Sequence, residues 1–90
     1  MIIFEKEVTV KNRAGLHTRP AASLVKLSSR FDSEIFLIRD GFMINGKSII
    51  GVMTLAAENG CVLTVRAEGE DAEAAVNEIA ELFERGFGEI

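Results

Sequence analysis

Pro20 is the only proline in this chain of 90 residues, and it stands three positions after the only histidine, His17. A proline ring has no N–H to donate, so it fits an α-helix without loss only in the first turn. Beyond it, Ala21, Leu24, Val25 and Ser28 recur at i, i+3, i+4 and i+7, with Leu27 and Phe31 alongside, which is the stripe of a helix with one buried face. A helix over Thr18 to Arg30 is therefore predicted, starting near residues 17 to 19. His17 becomes its N-cap or the neighbour of the N-cap.

The segments around that helix have their own periods. Phe4, Lys6, Val8 and Val10 alternate with Glu5, Glu7, Thr9 and Lys11, a strand pattern with one polar lapse. Glu34 to Arg39 reads as a second strand with an apolar centre from Ile35 to Ile38. Asp40-Gly41 then signals a two-residue hairpin whose central residues both need positive φ, and Phe42 to Ile44 is the returning strand. Asn45-Gly46 ends it. Ile49 to Leu55 reads as a short helix with Ser48 as N-cap. After an Asn59-Gly60 turn, Val62 to Glu68 alternates, with Leu63, Val65 and Ala67 facing inward. Asp71 to Arg85 carries the apolar stripe Ala72, Ala75, Val76, Ile79, Leu82 and Phe83, and Gly86 stops it. The order β-α-β-β-α-β-α predicts an α+β fold, an open-faced two-layer β-sandwich. A four-stranded antiparallel sheet is covered on one face by three helices, with the other face in solvent. The length predicts one domain over residues 1–90.

Composition narrows the function. Apolar residues make up 48% of the chain, enough for one modest core. The net charge is −4, so non-specific attraction to nucleic acid or anionic lipid is not expected. With no Tyr or Trp, a nucleic-acid module that stacks bases on an exposed sheet is also disfavoured. Cys61 is alone and can form no internal disulfide, which fits a reducing, cytoplasmic setting. Met1 to Lys11 mixes charged and apolar residues and reads as neither a signal peptide nor a membrane span. The chain lacks a Gly-rich phosphate loop, a CxxC pair and a His pair at metal-ligand spacing, so no metal and no cofactor are expected.

The chemistry concentrates at His17. The first N–H groups of a helix have no intrahelical partners, and the dipole adds roughly half a positive charge there. An anion carried on the imidazole would meet those donors directly. The same field disfavours positive charge on the ring and so favours its neutral, nucleophilic form. Arg19 adds a planar fork that matches phosphate oxygens, Thr18 adds a hydroxyl, and Gly15 permits close backbone approach. The plainer alternative is a surface N-cap beside a solvated arginine. It leaves unexplained why the only proline and the only histidine mark the same helix end.

Gly15-Leu16-His17-Thr18-Arg19-Pro20-Ala21 resembles the active-site signature of the HPr family, the histidine-containing phosphocarriers of the bacterial sugar phosphotransferase system. Lys47-Ser48-Ile49-Ile50-Gly51-Val52-Met53 resembles the second signature of that family, and the resemblance extends over essentially the whole chain. It implies that His17 is phosphorylated on Nδ1. It implies that Arg19 neutralises the phosphoryl group, and that Thr18 and the N–H groups of Thr18 and Arg19 complete the cradle. It further implies loading by enzyme I from phosphoenolpyruvate and unloading by the A component of enzyme II. Such a protein is a covalent relay, usually monomeric, and not an independent small-molecule enzyme.

By the same resemblance, Ser48 matches a regulatory serine that many bacteria phosphorylate with HPr serine kinase/phosphorylase. Serine is also among the best N-caps, and a phosphate at a helix start is stabilised there, so both roles stay open. Ala22, Lys26, Ile49, Ile50 and Met53 match the surface that docks partners, and an apolar patch near the site fits a transient interface. Two residues depart from the pattern: Ala14 stands where many sugar-type members carry Ser or Asn, and Gly46 before Lys47 is unusual. The ending Leu82-Phe83-Glu84-Arg85-Gly86-Phe87 resembles the nitrogen-related paralogue, which serves a regulatory phosphorelay. A nitrogen-type acceptor therefore stays open beside the enzyme II A component. A mainly regulatory protein acting through phospho-Ser48 is a third alternative. Relatives of that kind lack the histidine, so His17 counts for relay chemistry.

Overall fold

Period-two alternation builds the sheet. In a computed structural model that describes residues 2–89, β1 (Ile3–Thr9), β2 (Glu34–Arg39), β3 (Phe42–Asn45) and β4 (Val62–Glu68) pair in the order β1-β4-β2-β3, every pair antiparallel. The last strand in sequence thus lies between the first two. Its register sets Leu63 opposite Val8, Ala67 opposite Ile35, and Val65 opposite Leu37, which in turn faces Ile44 on β3. These residues are buried on the helix side. On the open face, the Arg66 guanidinium bridges Glu5 at 2.9 Å and Glu68 at 2.7 Å.

Three helices, α1 (Thr18–Ser28), α2 (Ile49–Thr54) and α3 (Ala72–Glu84), cover the other face, and a 3-10 turn over Gly86–Gly88 follows. The expected fold class and element order are those observed. All six predicted stripe residues of α3 are buried, and Phe83 and Ile79 are among the largest fully buried side chains. Fully burying side chains of this size contributes on the order of 2 kcal/mol each before the cost of ordering the chain.

The differences from expectation have local causes. β1 stops at Thr9 because Val10 bonds instead across the Asn59-Gly60 turn, donating to the Cys61 carbonyl at 2.9 Å and accepting from Gly60 at 2.8 Å. α1 stops at Ser28, short of Arg30, because its end tightens into 3-10 bonds from Arg30 to Leu27 at 3.1 Å and from Phe31 to Ser28 at 3.2 Å. The polar lapse in β1 is a rim position, where Lys6 Nζ donates to Asn77 Oδ1 on α3 at 3.3 Å. Asp40 and Gly41 take φ of 50° and 83°, as a two-residue hairpin requires. Gly46 also has a reason: a Cβ there would stand 2.7 Å from Ile35 Cγ2, where the backbone runs beside β2 and bonds the Ile35 carbonyl on the way into α2.

Candidate functional site

The loop that delivers His17 is pinned before α1 begins. Leu16 is buried and donates its N–H to the Ala57 carbonyl at 2.9 Å. Gly15 has φ of 74°, and a Cβ on it would lie 2.6 Å from that same oxygen. The segment after α2 therefore serves as the anvil for the histidine loop. It is held from beneath by Arg39, whose Nη1 donates to the carbonyls of Leu55 at 2.7 Å and Ala56 at 3.1 Å.

His17 is the N-cap of α1, with φ −83° and ψ −169°. Its carbonyl accepts from Ala21 at 3.0 Å, which starts the helix ladder, and Pro20 is buried in the first turn. The imidazole itself makes no capping hydrogen bond. Among the described residues, the N–H groups of Thr18 and Arg19 have no partner, and neither does the Arg19 guanidinium. Thr18 and Arg19 are exposed, and the His17 side chain is 42% exposed. Two backbone N–H groups, a guanidinium fork and one ring nitrogen thus stand at the exposed, positive end of a helix.

The other face of the ring is occupied. His17 Nε2 lies 3.1 Å from Glu89 Oε1, and the Glu89 side chain is only 17% exposed. Buried Asn12 braces the pair: its Nδ2 donates to Glu89 Oε1 at 3.1 Å and to the Gly15 carbonyl at 2.7 Å. Burial pushes the Glu89 carboxyl up. The hydrogen bonds from His17 and Asn12, with the nearby Arg19 charge, outweigh it and hold the group below the ordinary glutamate range.

Ser48 is the N-cap of α2, and its Oγ accepts from the Gly51 N–H at 3.0 Å. Of α2, only Val52 is buried, while Ile49, Ile50 and Met53 are 43%, 78% and 39% exposed. α2 packs against α1, on which Ala22 and Lys26 are exposed. The five residues expected to dock partners are therefore all accessible, on two neighbouring helices. A groove of about 490 Å³ between β1 and α3, lined by Lys6, Thr9, Asn77 and Glu84 among others, does not include His17. Among the described residues no three His, Cys, Asp or Glu side chains converge as metal ligands, and no helix is long and apolar enough to cross a membrane.

Sequence reasoning singled out His17, Thr18, Arg19 and Ser48 but not Glu89, Asn12 or Arg39, which the fold places around the same loop. Ala14 offers no polar side chain to orient the ring, and Glu89 contacts the ring instead. Its only sequence signal is a glutamate just past the Gly-Phe-Gly that ends α3. Nothing in that signal points to a partner 72 residues away.

The chain matches the family described as PTS-HPr, the PTS HPr component phosphorylation site, over residues 4–85. The phosphocarrier protein HPr of Treponema pallidum is 51% identical over 84 residues, covering 93% of this chain and 96% of the relative. A crystal structure of HPr from Thermoanaerobacter tengcongensis superposes with a TM-score of 0.93 at 41% identity, covering 97% of this chain and 98% of the other. The Bacillus subtilis catabolite-repression protein Crh, described as a dimer with a swapped domain, superposes with a TM-score of 0.76 at 40% identity, over 90% of this chain and 93% of the other.

Proposed function

Because the chain belongs to the HPr family of phosphotransferase-system phosphocarriers, we propose that it accepts a phosphoryl group from enzyme I on His17 and passes it to an enzyme II A component. The observation that carries this reading is an N-cap histidine whose ring does no capping, set beside N–H groups and a guanidinium that have no partner among the described residues. In the reaction, Nδ1 donates its lone pair to phosphorus. The donor's bond to phosphorus breaks, and its electron pair stays with the donor. The N–H groups of Thr18 and Arg19, the Thr18 hydroxyl and the Arg19 fork take up the charge on the three phosphoryl oxygens. Exposure keeps that stabilisation moderate, as a relay that must release the group requires.

Ile49, Ile50 and Met53, with Ala22 and Lys26, form the docking surface in this reading. Met53, unbranched and polarisable, suits a surface that must fit successive partners. Phosphorylation of Ser48 would replace its hydroxyl cap with a dianion at the same helix start and change the charge beside this patch. The nitrogen-type acceptor is the second destination, favoured by the Leu82 to Phe87 ending. The relay works as a cytoplasmic, monomeric, single domain in this reading, and sedimentation tests the monomer.

Incubation with enzyme I and phosphoenolpyruvate is expected to add one acid-labile, base-stable phosphate, and His17→Ala to abolish it. A label that survives His17→Ala would overturn the assignment.

A further inference from the structure

The catalytic ring has two nitrogens, and a relay that uses one of them needs that one to hold the lone pair. A carboxylate can only accept hydrogen bonds, so the 3.1 Å contact from Glu89 requires the hydrogen to sit on Nε2. Nδ1 is then left unprotonated, and among the described residues it has no partner. We propose that Glu89 is the positioning residue of the phosphocarrier site, fixing the His17 tautomer so that Nδ1 is the nucleophile. This rests on the phosphocarrier reading above and deepens it.

The contact is built into the fold. After α3 the chain turns back through three successive residues with left-handed φ: Gly86 at 61°, Phe87 at 58° and Gly88 at 73°. Such a run is rare, and for phenylalanine it is strained. Two restraints hold it. The Phe87 ring packs edge-on against Phe83 with centroids 4.9 Å apart. Glu89 donates its N–H to the Gly86 carbonyl at 2.9 Å. The hook carries Glu89 to the start of α1, where buried Asn12 receives it. Asn12 also holds the Gly15 carbonyl, so one side chain fixes the carboxylate relative to the loop that presents His17. The low-lying Glu89 carboxyl keeps the acceptor ionised.

The same contact serves both half-reactions. On loading, the Nδ1–P bond forms while Nε2 keeps its hydrogen, and the ring gains a positive charge that faces the Glu89 carboxylate. On unloading, the Nδ1–P bond breaks, and its electron pair returns to Nδ1. The leaving group is then a neutral imidazole still protonated on Nε2. No proton has to move in either direction. A ring with the hydrogen on Nδ1 could do neither.

The test reads the ring directly, because the chain has one histidine. In ¹⁵N NMR at mildly alkaline pH, the protein should show a protonated Nε2 and an unprotonated Nδ1. Glu89→Ala should draw the two shifts together as tautomers mix. It should also slow loading by phosphorylated enzyme I about tenfold, the worth of one charge-assisted hydrogen bond at a half-exposed site, with KM for enzyme I unchanged. Glu89→Gln, whose amide oxygen still accepts, should restore the shift pattern and part of the rate. Wild-type shifts and rate in Glu89→Ala would overturn the positioning role while leaving the relay intact. A purely structural role would move KM and melting temperature together and leave the tautomer unchanged, and that result would overturn it too. Failure of the unaltered protein to load would instead sink the relay reading itself.

Discussion

Two helices of this chain begin with a side chain able to take a phosphoryl group, and the two starts are built in opposite ways. At α2, Ser48 closes its helix: Oγ accepts from Gly51 at 3.0 Å. At α1, His17 leaves its helix open, with no side-chain cap and no partner for the next two N–H groups among the described residues. Capping stabilises a helix because it uses a lone pair and satisfies a donor. In the proposed relay, a group that gives its lone pair to phosphorus cannot also spend it on a cap. The α1 start is therefore secured by other means: the Gly15–Ala57 approach, the Leu16 hydrogen bond and Pro20. The open helix start is held by packing outside the helix, whereas the other start is self-sufficient.

The sharpest test of that contrast removes the charge at the open start. Arg19→Ala is expected to slow loading of His17 by roughly tenfold to a hundredfold, the range for one charge-assisted phosphate contact. Because Arg19 is exposed and unpartnered among the described residues, the melting temperature should hold; a large fall would make Arg19 structural. Gly15→Ala attacks the external support. Its Cβ would meet the Ala57 carbonyl at 2.6 Å in a left-handed backbone, which should cost about 1–3 kcal/mol in urea unfolding and slow loading as well. A neutral result would show that the loop is not pinned as described. Ser48→Ala should cost about 1 kcal/mol, the usual worth of a cap, and leave His17 loading intact. If it slows loading as much as Arg19→Ala does, the two starts are not independent.

The smallest effect belongs to the third helix start. Asp71 precedes α3 and uses its carboxylate across the loop, accepting from the N–H groups of Asp32 at 2.9 Å and Ser33 at 3.0 Å and from the Ser33 hydroxyl. The Ser33 hydroxyl, then the Asp32 N–H, hold this carboxyl below the ordinary aspartate range against the opposing effect of burial. A lowered carboxyl stabilises the fold fully above its unfolded value, near about 3.9. That stabilisation is lost as pH falls through the lower folded value. Thermal unfolding followed from neutral pH to below that range should therefore show a shallower acid decline in Asp71→Asn than in the parent. Parallel acid limbs would remove Asp71 from the account.

Much of this was legible along the chain, and for a common reason. The alternation of Val62 to Glu68, the stripe of α3, the Asp40-Gly41 turn and the Ser48 cap each depend on residues a few positions apart. Pro20 marks the helix start by its own covalent structure, whatever the rest of the chain does. His17 and Arg19 followed because a helix start is a local feature whose unpaired N–H groups favour negative charge. Helix and strand ends were less legible: Val10 leaves its ladder to bond the turn near Gly60, and α1 tightens past Ser28, as neighbours in space dictate.

By itself, the sequence determined the elements, their order, the histidine at the start of α1 and the family that they resemble. Only the tertiary structure decided that β4 enters between β1 and β2, because strand order depends on which long-range pairings bury both apolar rows. Only it explained Gly46, whose missing side chain makes room for Ile35. It also brought Glu89 to the His17 ring. That meeting needs the α3 stop, the left-handed hook and buried Asn12 together, and no periodicity connects positions so far apart in the chain.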